Sequence, residues 1–321
     1  MKVLRVGDPH VTVRNLEEAE RLMDFVRQQA MDHDVDHIEL LGDLFHTHAV
    51  IRVEVLDFWK KFFDRVSYKI GVIALVGNHD QPGSKEKEQQ MNALNIFHDY
   101  EQIHIVNKPI VYNNIAYIPY MSDHAAFLKA TQDLYNQGAV KLLVAHQNFT
   151  IPLYSDMIDQ NLVPQEAIIT GHIHEQRQIG KTFQVGTPKW DTMSDANENK
   201  GIWLYEHNED GSVKSKQFIS TKDIVTPIIK HTIREGDVDV VLNDKARNYI
   251  ELIGTSAWIV QMKKKYKGLA AISAKPSDRK HTNINKDKVF SIVDYLNAAF
   301  KPIDGISKED IRNYLKEVVN V

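Results

Sequence analysis

The sequence predicts an α/β fold built on a two-sheet β-sandwich core flanked by helices. From the amino terminus to Val76, apolar runs typical of strands alternate with amphipathic helical segments, the pattern of parallel β-α-β units. Between Phe183 and Ile219, short apolar runs follow one another without helices, which favours a second, antiparallel layer. The chain has 321 residues, 43% of them hydrophobic, enough for one large core and a smaller attached module.

The amino-terminal elements follow from hydrophobic periodicity. Lys2–Val6 and Ile38–Leu41 predict strands, and Ile70–Val76 is a continuous apolar run, typical of a strand buried on both faces. Asn15, with Glu18 three residues later, predicts a capping box at the start of the first helix. The apolar face of the second helix consists of Val53, Leu56, Trp59, Phe62 and Phe63.

The middle of the chain predicts a mixed region. Pro109–Tyr120 indicates a hairpin that turns at Asn113-Asn114, and Ser122 is the expected cap of a helix that ends near Gln137. The remaining predicted strands are Val140–Ala145, Ile168–Thr170, Phe183–Val185, Gly201–Tyr205 and Val213–Ile219. We therefore expect residues 1–222 to form one domain.

A smaller α/β capping module is expected at residues 223–275. Thr226–Ile233, Tyr249–Gly254 and Leu269–Ala274 predict strands, and Ser256–Tyr266 predicts a helix. Residues 276–286 are polar and charged, which indicates a linker. Residues 287–321 predict a tail of two amphipathic helices. Their separation by a linker favours docking to a partner, although they could instead pack on the main domain.

The composition narrows the class of protein. The net charge is -4, so contact with nucleic acid requires a local basic patch or a partner. The chain has no cysteine, which excludes disulfides and zinc-thiolate sites and suits a reducing cytosol. No apolar run reaches the ~18 residues that span a bilayer, so we expect no membrane insertion and a cytoplasmic location.

Clusters of Asp, Asn and His are the most informative feature of the sequence, because each accompanies the end of a predicted strand. The clusters are Asp8-Pro9-His10, Gly42-Asp43-Leu44-Phe45-His46, Gly77-Asn78-His79-Asp80, His146-Gln147-Asn148, Gly171-His172 and His174. Strands of a sheet can deliver their carboxyl-terminal loops to a common edge. Oxygen and imidazole donors gathered there predict a site for two divalent cations.

The candidate ligands divide between two ions. Asp8 and His10 can hold the first ion from a single loop, and His174 can reach back to it. Asp43 has two carboxylate oxygens and is the natural bridge. The second ion would be held by Asn78, His146 and His172. His172 and His174 lie two residues apart, so in an extended segment their side chains would point the same way.

Two further features bear on this site. A glycine precedes three of the candidate ligands, at Gly42, Gly77 and Gly171, and permits unusual backbone angles or a close approach at the turn. The mixture of carboxylate, amide and imidazole ligands suits Mn²⁺, Fe²⁺ or Zn²⁺ without deciding among them.

The ordered motifs resemble the calcineurin-like metallophosphoesterase superfamily. The matching patterns, over about residues 1–220, are D-x-H, G-D-x-x-x, G-N-H-D, H-Q and G-H-x-H. Within that superfamily, Gly42-Asp43-Leu44-Phe45-His46 resembles the nuclease branch, the SbcD-type subunit of DNA repair and recombination. The short chain is similar to the compact phage versions. Pro9 and Ala145 depart from the usual pattern without removing a ligand.

This resemblance implies an activity and roles for the site residues. It implies a metal-dependent exonuclease or endonuclease of DNA repair, recombination or replication, with the same seven ligands. Mn²⁺ is the first expectation, and Mg²⁺, Fe²⁺ or Zn²⁺ stay open. It implies that His79 stabilises the transition state or protonates the leaving 3′ oxygen. It also implies that Asp80 orients His79 by a hydrogen bond and that His46 lies near the scissile DNA.

The resemblance also implies partners. The capping module would contact DNA, and the helical tail would grip the coiled coil of an SMC-like ATPase of the SbcC type. By analogy the chain would form a homodimer, to which the apolar helix around Trp59–Phe63 could contribute. A phage-encoded protein would act in the host cytoplasm.

Several alternatives stay open at this point. Lys263, Lys264, Lys265 and Lys267 could track a phosphate backbone or form the solvated end of a helix. The same core fits a phosphatase or a cyclic-nucleotide phosphodiesterase, and a non-catalytic scaffold could retain the fold. His48 has no assigned role and is interpreted as structural.

Overall fold

The computed structural model describes residues 1–48, 50–66, 70–82, 91–138, 140–150 and 157–278. Most of the predicted linker at 276–286 and all of the predicted tail at 287–321 lie outside these residues. In chain order the elements are β1 (Lys2–Val6), α1 (Leu16–Asp32), β2 (His37–Leu40), α2 (Val53–Val66), β3 (Gly71–Leu75), β4 (Ile103–Val106), β5 (Ile110–Tyr112), β6 (Ile115–Ile118), α3 (His124–Asn136), β7 (Leu142–His146), β8 (Phe149–Thr150), β9 (Ile158–Asp159), β10 (Ala167–Gly171), β11 (Arg177–Ile179), β12 (Thr182–Gln184), β13 (Gly201–His207), β14 (Val213–Ser220), β15 (Ile228–Arg234), β16 (Arg247–Gly254), α4 (Ser256–Lys265) and β17 (Ala271–Pro276).

Two six-stranded sheets form the core, with strand orders β14-β13-β1-β2-β3-β4 and β11-β12-β10-β7-β6-β5. Strands β1 to β4 are parallel, and so are β6, β7, β10 and β12. Apolar side chains of both sheets, among them Val3, Ile73, Val144 and Trp203, meet between them. Helices α1 and α2 cover the first sheet and α3 covers the second. This arrangement confirms the predicted α/β sandwich flanked by helices.

The aromatic residues of α2 lie in the core. Phe58, Trp59, Phe62 and Phe63 are at most 4% exposed, and the rings of Trp59 and Phe63 stack with their centroids 5.7 Å apart. These rings pack in the chain's own core and are not themselves available to a partner. The homodimer, to which this helix could contribute, stays a prediction.

The predicted capping box of α1 is also wrong. Asn15 accepts a hydrogen bond from the Thr12 amide (2.7 Å) and donates one to the His10 carbonyl (3.0 Å). Glu18 accepts from the Thr226 amide (2.8 Å). A short 3-10 turn precedes α1, so these side chains bond to the incoming loop and to the capping module in place of the helix amides. Through these two hydrogen bonds, Asn15 stabilises the loop that contains His10.

Other elements differ in detail. The predicted hairpin is present, and Asn113 and Asn114 have the positive φ angles (48° and 59°) that its two-residue turn requires. Helix α3 is capped by Asp123, whose side chain accepts from two backbone amides, and not by Ser122. The sequence analysis did not predict β4, β8, β9 or β11, which have only two to four residues each.

The capping module is a small parallel sheet, β15-β16-β17, with α4 on one face. Its own core contains Ile233, Ile250, Leu252, Ile259 and Tyr266. Its strands and helix lie where the sequence predicts them. No helix among the described residues is long and apolar enough to cross a membrane.

Candidate metal centre

The carboxyl ends of β1, β2, β3, β7 and β10 meet at one edge of the sandwich and deliver the predicted ligands there. His146 is the last residue of β7, and His172 directly follows β10. Short contacts link all seven candidate ligands into one cluster. The cluster consists of Asp8, His10, Asp43, Asn78, His146, His172 and His174.

One half of the cluster is formed by Asn78, His146 and His172. The Oδ1 of Asn78 lies 2.9 Å from the Nε2 of His146 and 2.9 Å from the Nδ1 of His172. The two ring nitrogens are 3.3 Å apart. An amide oxygen and two imidazole nitrogens that face one point are the donor set the sequence analysis assigned to the second ion.

The other half of the cluster contains His10 and His174, whereas the Oδ1 of Asp8 accepts from the His172 amide (2.8 Å) and lies 3.5 Å from the Nδ1 of His146. The Nε2 atoms of His10 and His174 lie 3.1 Å apart, with His10 Nε2 3.7 Å from the Oδ2 of Asp43. Asp8 is fully buried, and its Oδ2 has no hydrogen-bond partner among the described residues. A buried carboxylate oxygen without a donor is costly unless a cation completes it, so Asp8 is suited to bind a cation.

Asp43 joins the two halves. Its Oδ1 lies 3.4 Å from His146 Nε2, whereas its Oδ2 lies 3.7 Å from His10 Nε2. The side chain is 2% exposed and the backbone φ is 52°. Two groups of side chains that could hold a metal ion share this residue, one with His10 and His79 and the other with His146 and His172. One oxygen towards each half is the arrangement required of a bridging carboxylate.

Two glycines leave the space this geometry needs. Gly42 has φ +100°, and a Cβ there would lie 2.3 Å from His146 Nδ1. A Cβ on Gly77 would lie 2.2 Å from the Oδ1 of Asp43. Both glycines therefore allow the loops after β2 and β3 to close on the ligands, as the sequence indicates.

His172 and His174 do not lie in an extended segment and do not point the same way, contrary to what the sequence analysis expected. His172 has φ 78°, so the segment is not extended at this point. The backbone turn sends His172 towards Asn78 and His174 towards His10, one to each half of the cluster.

The electrostatics suit cations. Burial lowers the pKa of His172 to about 4 and also lowers the pKa of His10 and His174, which keeps these rings neutral, as metal ligands must be. Burial raises the pKa of Asp8 to about 8. Burial alone would lower the pKa of His146, but the charges of Asp43 and Asp8 raise it to about 9. A cation held between Asp8 and Asp43 would take the place of the proton that their negative charges stabilise on His146.

Outer hydrogen bonds hold the rings in place. The Nδ1 of His146 lies 2.7 Å from the Leu41 carbonyl, so its proton is there and Nε2 is free to bind metal. His79 is held in the same way, because its Nδ1 lies 2.6 Å from the His46 carbonyl. Its Nε2 then points towards the Oδ2 of Asp43, 4.0 Å away.

Asp80 does not orient His79, so that prediction is wrong. The Oδ1 of Asp80 accepts from the Phe45 amide (3.0 Å) and its Oδ2 accepts from the Gly77 amide (2.9 Å). The carboxylate is buried, and none of the described hydrogen bonds joins it to the ring of His79. Asp80 therefore ties the loops after β2 and β3 together, and the carbonyl of His46 orients His79.

Three rings lie at the exposed mouth of the site. His46 is near-parallel to His79, with ring centroids 5.8 Å apart, and lies edge-on to His10 at 5.3 Å. His48, which the sequence analysis interpreted as structural, stacks on His79 at 4.2 Å, and its Nδ1 lies 2.8 Å from the Asn78 carbonyl. Tyr120 stacks on His172 at 5.8 Å. No local sequence pattern marks His48 or Tyr120 as a site residue, because only the folded loops bring these residues to the site.

The lysines of the predicted basic patch lie elsewhere. Lys263, Lys264, Lys265 and Lys267 are exposed at the end of α4, and Lys265 pairs with Asp239. None of the described contacts joins them to the metal centre. Their contact with DNA stays a prediction.

Comparisons with known proteins find phosphoesterases among the proteins similar to this chain. A family model for calcineurin-like phosphoesterases matches residues 1–176. A putative phosphoesterase, 244L of Invertebrate iridescent virus 6, is 29% identical over 228 residues, which are 65% of this chain and 77% of the viral protein. A second, 078R of Invertebrate iridescent virus 3, is 25% identical over 191 residues, 55% of this chain and 54% of the viral one. The solved structure of TT1561 of Thermus thermophilus is 12% identical with a TM-score of 0.43, over 69% of this chain and 99% of that one.

Proposed function

This chain belongs to the calcineurin-like phosphoesterase family, and we propose that it is a two-metal nuclease that hydrolyses phosphodiesters of DNA. The observation that carries the proposal is Asp43, whose two oxygens face separate groups of side chains that could each hold a metal ion. A carboxylate in this arrangement can hold two cations at the separation that phosphoester hydrolysis requires, ~3.5–4 Å.

The residues of the chain have distinct tasks in this reaction. When bound, two divalent cations supply a water of lowered pKa and bind the non-bridging phosphate oxygens. Asp8, His10 and His174 would hold one cation, Asn78, His146 and His172 the other, and Asp43 both. His79 directs Nε2 inwards because its Nδ1 bonds to the His46 carbonyl. Burial lowers the pKa of His79, and when Nε2 carries a proton it would donate that proton to the leaving 3′ oxygen.

The nuclease assignment, above a phosphatase or a cyclic-nucleotide phosphodiesterase, rests on His46 and the capping module. His46 is exposed at the mouth, beside both His10 and His79, where a polymer on either side of the scissile phosphate would contact it. The capping sheet adds a surface beyond the core that a small substrate does not need. We propose Mn²⁺ as the cation.

A comparison of substrates tests this proposal. Purified protein would be given linear duplex DNA, bis(p-nitrophenyl) phosphate and p-nitrophenyl phosphate in Mn²⁺. We expect cleavage of DNA and of the diester and little of the monoester. Asp43→Ala should abolish both reactions, whereas His46→Ala should impair DNA cleavage more than diester hydrolysis. Preferential hydrolysis of the monoester would favour the phosphatase, and failure to bind Mn²⁺ would favour the scaffold.

We also propose that the tail at 287–321 docks an SMC-like coiled-coil ATPase, and that the protein acts with it in DNA repair, recombination or replication, in the cytoplasm of a cell or a phage host. The support is the predicted pair of amphipathic helices behind a polar linker. A chain ending at residue 280 should keep Mn²⁺-dependent diester hydrolysis and lose co-purification with such an ATPase. Unchanged co-purification would place the docking surface elsewhere.

A further inference from the structure

A buried lysine lies directly behind one side of the metal centre. Lys200 is 1% exposed, and its Nζ donates to the backbone carbonyl of His174 at 2.9 Å. It also donates to Asp195 Oδ1 at 3.1 Å and to Glu198 Oε2 at 2.7 Å. The three ammonium protons therefore have three acceptors, and one of these belongs to a candidate metal ligand. Because β13 begins at the next residue, the main sheet holds Lys200 in place.

The carbonyl of His174 is held from a second direction. It accepts a hydrogen bond from the Thr187 amide at 3.1 Å. Gly186, the residue before, has φ +73°, and a Cβ there would lie 3.0 Å from the same carbonyl oxygen. The segment from Thr187 to Lys200, which we name the latch, thus contacts the backbone of His174 at both of its ends.

Asp195 holds the latch together. Its Oδ2 accepts from the amides of Asp191 (3.1 Å) and Thr192 (2.8 Å), while its Oδ1 accepts from Lys200. The residue is 2% exposed. A buried carboxylate that bonds a lysine and two amides makes this segment rigid, so a displacement of one part is passed to the others.

The latch also contacts the capping module. The Asn197 amide donates to the Ile228 carbonyl (3.2 Å), and the Asn197 side chain exchanges two hydrogen bonds with the backbone of Lys230, each 3.2 Å long. Arg247, the first residue of β16, donates to the carbonyl of Trp190. Two strands of the capping sheet are therefore attached to the segment that holds His174.

We propose that Lys200 is a positioning residue for His174 and that the latch couples the capping module to the metal centre. This inference rests on the metal role of His174 in the proposed function. Lys200 fixes the backbone at residue 174, and the imidazole is thereby held where its Nε2 meets that of His10. A shift of the capping sheet changes the affinity for the cation on this side.

The direction in which Lys200→Met changes the Mn²⁺ affinity separates this proposal from an effect of charge alone. Lys200 and Lys189 are both 1% exposed, and Lys189 pairs with Asp191. Both positive charges oppose the protonation of His174 and would likewise oppose a cation. If charge alone mattered, Lys200→Met and Lys189→Met would both bind Mn²⁺ more tightly. The latch predicts weaker binding for Lys200→Met alone, since Lys200, and not Lys189, donates to the His174 carbonyl in the described contacts.

The experiment is a calorimetric Mn²⁺ titration of the full chain and its variants, with circular dichroism to verify folding. We expect two ions in the unmodified protein, and about 10- to 100-fold weaker binding of one of them in Lys200→Met. Asn197→Gly keeps the positive φ (65°) and the net charge but removes the side-chain bonds to Lys230, and should weaken the same ion roughly 3-fold. Lys189→Met should bind as well as the unmodified protein or better.

Each result has a defined meaning. If the unmodified protein binds no pair of ions, the proposed function fails. If it binds two and Lys200→Met binds them equally well or better, the latch alone fails, as it does if Lys189→Met loses as much affinity as Lys200→Met. If Lys200→Met does not fold, Asn197→Gly decides, because unchanged Mn²⁺ affinity in that variant would overturn the coupling.

Discussion

Gly77→Ala should impair the metal centre without replacing any ligand. A Cβ at residue 77 would lie 2.2 Å from the Oδ1 of Asp43 and 2.3 Å from its amide nitrogen, whereas ordinary contacts begin near 3.4 Å. The loops after β2 and β3 must therefore separate by about 1 Å at the bridging carboxylate. A displacement of about 1 Å in a reacting centre costs on the order of 10²-fold in rate. Overpacking of this kind costs about 1–3 kcal/mol of stability.

The assay is Mn²⁺-dependent hydrolysis of bis(p-nitrophenyl) phosphate, with a thermal melt to measure stability. Gly138→Ala is the matched control, because a Cβ at Gly138 meets nothing within 4 Å. We expect Gly138→Ala to retain the full rate and Gly77→Ala to lose about 10²-fold. If Gly77→Ala keeps the rate of the control, the close approach of the two loops is not required for catalysis and the bridging geometry is misassigned.

Three further predictions address the neighbouring groups. His79→Ala should still bind two Mn²⁺ ions but lose about 10²–10⁴-fold in turnover, measured by calorimetry and steady-state kinetics; full turnover would remove it from the mechanism. His48→Phe keeps a ring over His79 and should retain more turnover than His48→Ala, and equal rates would exclude a stacking role. Glu39→Gln leaves the buried guanidinium of Arg5 unpaired and should lower the free energy of unfolding by about 3–5 kcal/mol in urea, with no loss expected if the pair contributes nothing. Although burial opposes it, Arg5 holds the pKa of Glu39 below its ordinary 4.5, so this stability is complete above pH 4.5 and declines as the pH falls further.

The ligand set could be predicted because its signal is local. Each candidate follows or ends an apolar run, and the parallel strands of one sandwich place those ends at a common edge. The glycines beside Asp43 and Asn78 carry the same kind of information, since a turn that admits no Cβ excludes most other residues. These features depend on residues that are neighbours in the chain, and they can therefore be recognised in the sequence alone.

The orienting groups could not be predicted in the same way. Asp80 is next to His79 in the chain, yet the ring is held by the carbonyl of His46, 33 residues away. Arg5 lies in a strand that reads as apolar, and its partner Glu39 comes from the adjacent strand, 34 residues further on. Both contacts depend on how the loops and strands align in space and on the direction in which each side chain points. A residue pattern does not encode either of these.

The succession of most strands and helices along the chain and the choice of candidate metal ligands were thus determined by the sequence itself, because hydrophobic periodicity and turn chemistry act over a few residues. Which oxygen of Asp43 faces which histidines, which carbonyl fixes each ring, and the attachment of Lys200 to His174 were decided only by the tertiary structure. The reason is physical: these contacts join segments far apart in the chain, and their geometry exists only after the two sheets and the capping module have packed.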